Sequence, residues 1–241
     1  MTREHIVPAW LSERAQTPLV ANVRTTEGEI AITGQPTVKD VCRDCNNGPL
    51  SSLDEYARQL YESYFQTIVE PRDLITFQYD FHLLSRWLLK IAYNTARARQ
   101  WRFGPSRALL DYVIGITAPE PGVEAVLQLV IPTKEVPGVH PRIIPFENRV
   151  ALLMPELLWG LEAGFLVSVS SYHFYLVIPT EGMPPRLREK AFEKLRKSLP
   201  GGVRLACKKC VKVYASFVDF LALARKSPGL IRNVQLKRKG N

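Results

Sequence analysis

The chain has 241 residues, of which 46% are hydrophobic and 23% charged, proportions that are ordinary for a folded globular protein. This composition excludes a mainly disordered chain, a collagen-like fibre and a low-complexity array. Four cysteines are too few for a small disulfide-stapled scaffold. The first residues lack a signal-peptide pattern, and acids and a proline interrupt the apolar stretch 151–170. We therefore expect a cytoplasmic protein without a membrane partner.

The formal net charge of +9 is concentrated at one end of the sequence. Residues 186–241 contain sixteen Lys or Arg and three acidic residues, whereas residues 1–185 are net acidic. This asymmetry favours a polyanionic partner, with nucleic acid first and an anionic membrane second. On charge alone, a solvated basic surface without a partner is equally consistent with the sequence.

The first hundred residues predict short strands followed by two helices. The predicted elements are one or two helical turns at 10–16, a hairpin of 20–24 and 29–33, a strand at 39–42, a turn at 46–49, a helix over 50–64 and a helix over 82–100. The last of these has a broad apolar face containing Trp87, which predicts that it packs at the centre of the protein.

After residue 105 the pattern changes to short strand-like segments separated by Pro and Gly. These segments are 112–116, 126–131, 142–145, 150–153, 165–169 and 174–178. A basic amphipathic helix over 186–198 and a last helix over 213–225 follow. The predicted fold class is α+β, with one unit at 1–70 and a helical and α/β accessory region at 71–241.

Two short motifs carry residues suited to chemistry: Glu4 to Pro8, and Cys42 to Gly48. In the first, an acid directly before a histidine places a hard oxygen ligand beside a general base. In the second, a C-x-x-C followed at once by Asn places a zinc knuckle beside another oxygen ligand. Acid, histidine and amide on a strand–strand–helix frame are what single-metal phosphodiester hydrolysis requires.

Together the two motifs resemble the HNH, or ββα-metal, nucleases, and most closely the bacterial and phage branch E-H-x-x-P-x-W-L followed by C-x-x-C-N-N-G. The matching residues are Glu4, His5, Pro8, Trp10, Leu11, Cys42, Cys45, Asn46, Asn47 and Gly48. The resemblance covers about residues 1–66. It implies an N-terminal ββα-metal module, followed by the central helix and a C-terminal α/β region with basic helices.

The resemblance also implies an activity: an endonuclease that uses Mg²⁺ or Mn²⁺ to hydrolyse DNA, leaving 5′-phosphate and 3′-hydroxyl ends. By this resemblance Glu4 and Asn46 are metal ligands and His5 is the general base, with Asn47 as a substitute for Asn46. Two further residues are expected to contact phosphate, namely Arg3 and Arg43.

The sequence departs from the family pattern in two places. The family has Asn or His nine residues before the helix Asn, where this chain has Thr37. Many members also have a C-x-x-C before the acid–histidine pair, whereas this sequence begins three residues before Glu4. These departures motivate an alternative, a catalytically inactive HNH-like nucleic-acid-binding protein. A structural or interaction protein with incidental motifs is a third reading.

A second C-x-x-C, formed by Cys207 and Cys210, could replace the missing knuckle. We expect it to lie beside Cys42 and Cys45 and complete one structural Zn²⁺ site, because closing a long loop costs little more than closing a medium one. The competing interpretation is a pair of ordinary thiols in a basic turn. The zinc arrangement would also bring three lysines to the DNA, namely Lys208, Lys209 and Lys212.

Two further expectations concern geometry. The side chains of Glu4, His5 and Asn46 should converge near one solvent-accessible point, at the start of a helix that begins near Asn47. The basic residues of 186–198 and 207–212 should lie on the same face as that point and form a groove for DNA.

The remaining distinctive residues favour structural roles. Core or surface positions are expected for the other histidines, which are His82, His140 and His173. A packed sheet core is favoured over a base-stacking platform for the strand aromatics, which are Trp159, Phe165, Tyr172, Phe174 and Tyr175.

Overall fold

The computed structural model describes residues 2–14, 20–25, 28–33, 37–70, 72–98, 105–117, 122–131, 149–152, 161–206 and 210–216. These residues form a mixed α+β structure, as expected. Among them, no helix is long and apolar enough to cross a bilayer.

Two strand pairs make up most of the first forty residues. The element bounds are β1 Thr2–His5, α1 Ala9–Arg14, β2 Val20–Thr25, β3 Gly28–Thr33 and β4 Thr37–Val41. Strand β1 pairs antiparallel with β4, and β2, which follows α1 in the chain, pairs antiparallel with β3. The predicted helical turn, hairpin and strand are confirmed to within a few residues.

A chain of four helical segments follows β4. They are α2 (Arg43–Cys45), the π-helical turn π1 (Asn46–Leu50), α3 (Ser51–Leu60) and the π-helical turn π2 (Tyr61–Phe65). The helix therefore begins at Arg43, and the expected start near Asn47 is wrong. The reason is that the Sγ atom of Cys42 accepts the N–H of Cys45 at 3.0 Å and caps the first turn. Pro49 lies within π1, where its missing N–H removes one regular helical hydrogen bond.

The central helix α4 (Phe81–Ala98) confirms the predicted helix 82–100, and Trp87 is buried as expected. Strand β5 (Leu74–Gln78) precedes α4 and was not predicted. The predicted strand 112–116 is wrong, because α5 (Arg107–Val113) occupies its first residues. Ser106 caps this helix by accepting the N–H of Leu109 at 3.2 Å.

The remaining elements form or cover the main sheet, and their bounds are β6 Glu124–Val130, β7 Arg149–Leu152, β8 Leu161–Val169, β9 Tyr172–Pro179, α6 Pro185–Ser198, β10 Val203–Leu205 and β11 Cys210–Ser216. Seven strands make up this sheet, in the order β5-β11-β6-β9-β8-β7, with β10 also pairing with β6. The predicted helix 213–225 is wrong for residues 213–216, which belong to β11. The rest of that helix and the predicted strand 142–145 lie outside the described residues.

Alternate residues of each strand face opposite sides of this sheet. On one side, Leu127 and Phe174 share a buried core with Leu53 and Trp87, so this core includes described residues from both predicted units, 1–70 and 71–241. The rings of Phe65 and Phe174 meet at 5.9 Å on this side. The other side is covered by α6. Its buried contacts are Val126, Tyr175, Val177, Phe192, Leu195 and Leu199.

Candidate functional site

Glu4 of the first motif is buried between β1 and α4. It lies opposite Val38 in the β1–β4 register, and only 5% of its surface is exposed. Its Oε1 atom is 2.5 Å from the Nζ atom of Lys90. The Glu4 carboxylate therefore has a buried cationic partner and is not at a solvent-accessible point.

Lys90 joins two carboxylates in what we term the Lys90 cluster, consisting of Glu4, Asp54 and Lys90. The Lys90 side chain is almost fully buried, and its Nζ atom lies 2.7 Å from Oδ2 of Asp54 and 3.3 Å from the carbonyl oxygen of Leu50. With all three groups ionised, the cluster carries one net negative charge. Burial raises the pKa of Asp54 above its ordinary value, although the adjacent Lys90 acts in the opposite direction.

Asp54 gives the folding equilibrium a distinctive pH dependence. Because its pKa is higher in the folded chain, the folded state binds this proton more tightly than the unfolded state does. This contribution favours folding below the ordinary pKa of 3.8 and is lost as the pH rises through the raised value. We expect the stability advantage of the parent over Asp54→Asn to decrease as the pH is raised, measured by urea unfolding at several pH values.

Glu55→Gln is the matched control for the sign of this effect. The hydrogen bond from Arg58 lowers the pKa of the exposed Glu55, so the parent's small advantage over Glu55→Gln should increase with pH. A parent advantage over Asp54→Asn that also increased with pH would contradict the raised pKa of Asp54.

Asn46 connects the start of the helical segment to β1. Its Nδ2 group donates to the hydroxyl of Thr2 and to the carbonyl oxygen of Arg3, each at 3.0 Å. Both amide protons are thus used on β1, which leaves the amide oxygen as the atom able to accept a hydrogen bond or to bind a cation. The neighbouring Asn47 is exposed.

His5 is half-buried at the end of β1, directly opposite Thr37 of β4. Directly opposed residues of antiparallel strands project to the same face, so Thr37 is a neighbour of the imidazole. Successive residues project to opposite faces, which places His5 and Glu4 on different sides of β1. The structure thus brings Asn46 to β1 and Thr37 to His5, but it turns Glu4 towards Lys90.

The cysteines of the second motif pair with one another. Cys42 and Cys45 form a disulfide with their Cα atoms 5.3 Å apart. Cys210 is a free, exposed thiol at the start of β11, and Cys207, Lys208 and Lys209 lie outside the described residues. In the part of the chain that the structure describes, no group of three or more His, Cys, Asp or Glu side chains is placed to hold a metal ion. The disulfide leaves no thiolate at Cys42 or Cys45 for zinc, so the four-cysteine zinc site stays a prediction that requires this pair to be reduced.

The predicted basic residues lie on two sides of the molecule. Arg3 and Arg43 are exposed beside the contact between Asn46 and β1. Lys212 is exposed on β11, on the sheet side opposite the buried Val213, and α6 covers the same side. These basic residues were expected to share a face with His5. For the described residues of 186–198 and 207–212 this expectation is wrong, because the main sheet and α4 lie between these residues and His5.

The expected packed sheet core is confirmed for the strand aromatics that the structure describes. His82 is half-buried, and the buried members are Phe165, Tyr172, His173, Phe174 and Tyr175. His140 and Trp159 lie outside the described residues.

Sequence reasoning missed Lys90 and the role of Asp54. The sequence carries a signal for Lys90, since this lysine interrupts the apolar run from Leu88 to Ala92 on the central helix. A cation within an apolar helix face requires a buried partner. Asp54 gives no comparable signal, because an acid in the first turn of a helix is explained by the helix dipole alone.

No protein-family model, curated protein or solved structure matches this chain. The resemblance to HNH nucleases consequently depends on the residues of the two motifs and on the geometry described above.

Proposed function

We propose that this chain is a divalent-metal-dependent endonuclease of the HNH, or ββα-metal, type, which hydrolyses DNA phosphodiester bonds. The observation that carries the proposal is the pair of hydrogen bonds from Asn46 to β1, the strand that ends in His5. Strand β4 leads directly into the helical segment that holds Asn46, which supports a strand–strand–helix frame.

The donor set suits Mg²⁺ or Mn²⁺, which prefer oxygen ligands. The amide oxygen of Asn46 would hold the ion, and Glu4 would join it only by exchanging its contact with Lys90 for the metal. The net negative charge of the Lys90 cluster favours such a cation nearby. When bound, the ion would neutralise charge on the phosphate and on the leaving oxygen.

The residues on and beside β1 that would not bind the metal can act on the water and on the DNA phosphate. The half-buried His5 can accept a proton from the attacking water, as a general base must. The hydroxyl of Thr37 can hydrogen-bond to this imidazole and orient it. Arg3 and Arg43 are exposed beside the same strand and can hold phosphate oxygens.

The proposal is tested with supercoiled plasmid, purified protein and either Mg²⁺, Mn²⁺ or EDTA. We expect nicked and linear products with each metal and none with EDTA, and the new ends should carry 5′-phosphate. Intact plasmid under all conditions, together with a measured binding affinity for the same DNA, would contradict the nuclease and support the second candidate.

That second candidate is a catalytically inactive HNH-like protein that binds nucleic acid. Two observations favour it: Lys90 already neutralises the Glu4 carboxylate, and Thr37 stands where the family has Asn or His. Both candidates are expected to bind DNA, but only the nuclease is expected to cleave it.

Replacing Thr37 with Asn should increase the rate of metal-dependent plasmid cleavage by about tenfold. This factor corresponds to about 1.4 kcal/mol, which is the free energy that roughly one hydrogen bond contributes. The amide would give His5, its cross-strand neighbour, a better-fixed hydrogen-bond partner than the hydroxyl does. Thr76→Asn is the matched control, because Thr76 is exposed on β5 in the main sheet and should leave the rate unchanged. Equal rates for the parent and Thr37→Asn would argue against an orienting role for residue 37.

A further inference from the structure

The exposed side of α6 carries four cations in a row. The members of this α6 row are Arg186, Lys190, Lys194 and Lys197, all exposed. At about 100° per residue, their spacing places the four side chains within an arc of roughly 80°. The opposite side of the helix packs on the sheet through Ala191, Phe192 and Leu195. The α6 row therefore points away from the sheet into solvent.

Both acids of α6 are directed to arginines outside the α6 row. Oε1 of Glu189 lies 2.8 Å from Nη1 of Arg204, and Oε2 of Glu193 lies 2.8 Å from Nη2 of Arg196. The hydrogen bond from Arg196 also lowers the pKa of Glu193. The α6 helix contains six basic residues against these two acids, so its exposed surface keeps a clear positive charge.

The α6 row and His5 lie on opposite sides of the main sheet. The layers between them are α4 and the sheet itself, each packing at about 10 Å from its neighbour, so the separation is roughly 20–30 Å. Lys212 and Tyr214 are also exposed on the α6 side, on a neighbouring strand. A phosphate group held by the α6 row is thus not one that His5 can reach.

We propose that the α6 row is a second DNA-binding surface, which holds the phosphate backbone of a duplex segment separate from the one at His5. The choice of DNA as the polyanion rests on the proposed function. From Arg186 to Lys197 the helix rises about 16 Å, which matches roughly five phosphates of one strand at 3.4 Å each. A membrane is disfavoured, because an interfacial helix inserts its apolar face and that of α6 is buried on the sheet.

The test is the salt dependence of duplex binding in EDTA, which prevents metal-dependent cleavage. The variant replaces Arg186, Lys190 and Lys197 with Gln, and the duplex has about 40 base pairs, long enough at 3.4 Å each to reach both surfaces. Each lost phosphate contact lowers the slope of log affinity against log salt by about 0.9, so we expect a decrease of about 2.7. The affinity at low salt should fall by at least about tenfold.

The matched control replaces three arginines outside α6 with Gln, namely the half-buried Arg58 and the exposed Arg72 and Arg107. An unchanged slope for this control and a decreased slope for the α6 variant support the proposal. An equal decrease of the slope in both variants would show an effect of net charge only and would overturn the proposal. An unchanged slope in both variants would also overturn it. Loss of binding to phosphatidylserine vesicles, with DNA binding intact, would also overturn it.

The plasmid assay keeps this inference distinct from the proposed function. If the parent cleaves plasmid and the α6 variant binds DNA as the parent does, the second surface is contradicted and the nuclease proposal is not. Binding through the α6 row without any cleavage would support the second surface and contradict the nuclease.

Discussion

Replacing Lys90 with Met should lower the free energy of unfolding by about 3–5 kcal/mol, the usual effect of removing one partner from a buried ion pair. Met has nearly the same length and fills the space, so the loss is mainly electrostatic. Glu4 and Asp54 would remain as two adjacent carboxylates, with Glu4 buried between β1 and α4 and no cation between them. Urea denaturation of the parent and the variant at neutral pH measures the difference.

Lys190→Met is the control for this substitution, since Lys190 is exposed on α6 and its replacement should change the unfolding free energy by less than about 0.5 kcal/mol. The triple variant Glu4→Gln, Asp54→Asn and Lys90→Met should recover part of the stability, because it leaves no buried charge. A loss in Lys90→Met no larger than that in Lys190→Met would contradict the Lys90 cluster.

Helices with long regular patterns could be predicted from the sequence, whereas elements fixed by distant contacts could not. The central helix α4 shows an apolar face over five turns, and its predicted bounds agree with the structure within two residues. Residues 213–216 are Val, Tyr, Ala and Ser, four residues whose pattern does not separate a strand from the start of a helix. They form strand β11 because β5 and β6 lie on either side and supply hydrogen-bond partners far away in sequence.

The same distinction applies to the candidate site. The motif spacing predicted that Asn46 lies near Glu4 and His5, and it singled out Thr37, which lies opposite His5 in the structure. Both positions could be predicted because they depend on the short β1–β4 pair and on the helical segment that directly follows it. The burial of Glu4 depends on Lys90, which is 86 residues further along the chain and reaches it only through the packing of α4. The side of the sheet that α6 occupies is likewise set by tertiary packing rather than by local pattern.

Replacing His5 with Ala should reduce the rate of metal-dependent plasmid cleavage by about 10²–10⁴-fold, the usual contribution of a general base. The side chain is half-buried at the end of β1, so its truncation should leave the fold intact. His82→Ala is the control histidine, because its ring lies 3.4 Å from the hydroxyl of Tyr112, between α4 and α5. We expect His82→Ala to cleave at the rate of the parent under conditions where all three proteins are folded.

A rescue experiment separates a proton-transfer role for His5 from a structural one. His5→Gly leaves a space at the strand end, and imidazole added to the solution can enter it and accept the proton that the side chain would accept. We expect imidazole to restore part of the cleavage by His5→Gly and to leave His82→Ala unchanged. Imidazole cannot restore a strand end that has lost its packing, so the absence of rescue would assign His5 a structural role. A folded His5→Ala protein that cleaved as fast as the parent would remove His5 from the mechanism altogether, and the activity would then require another base.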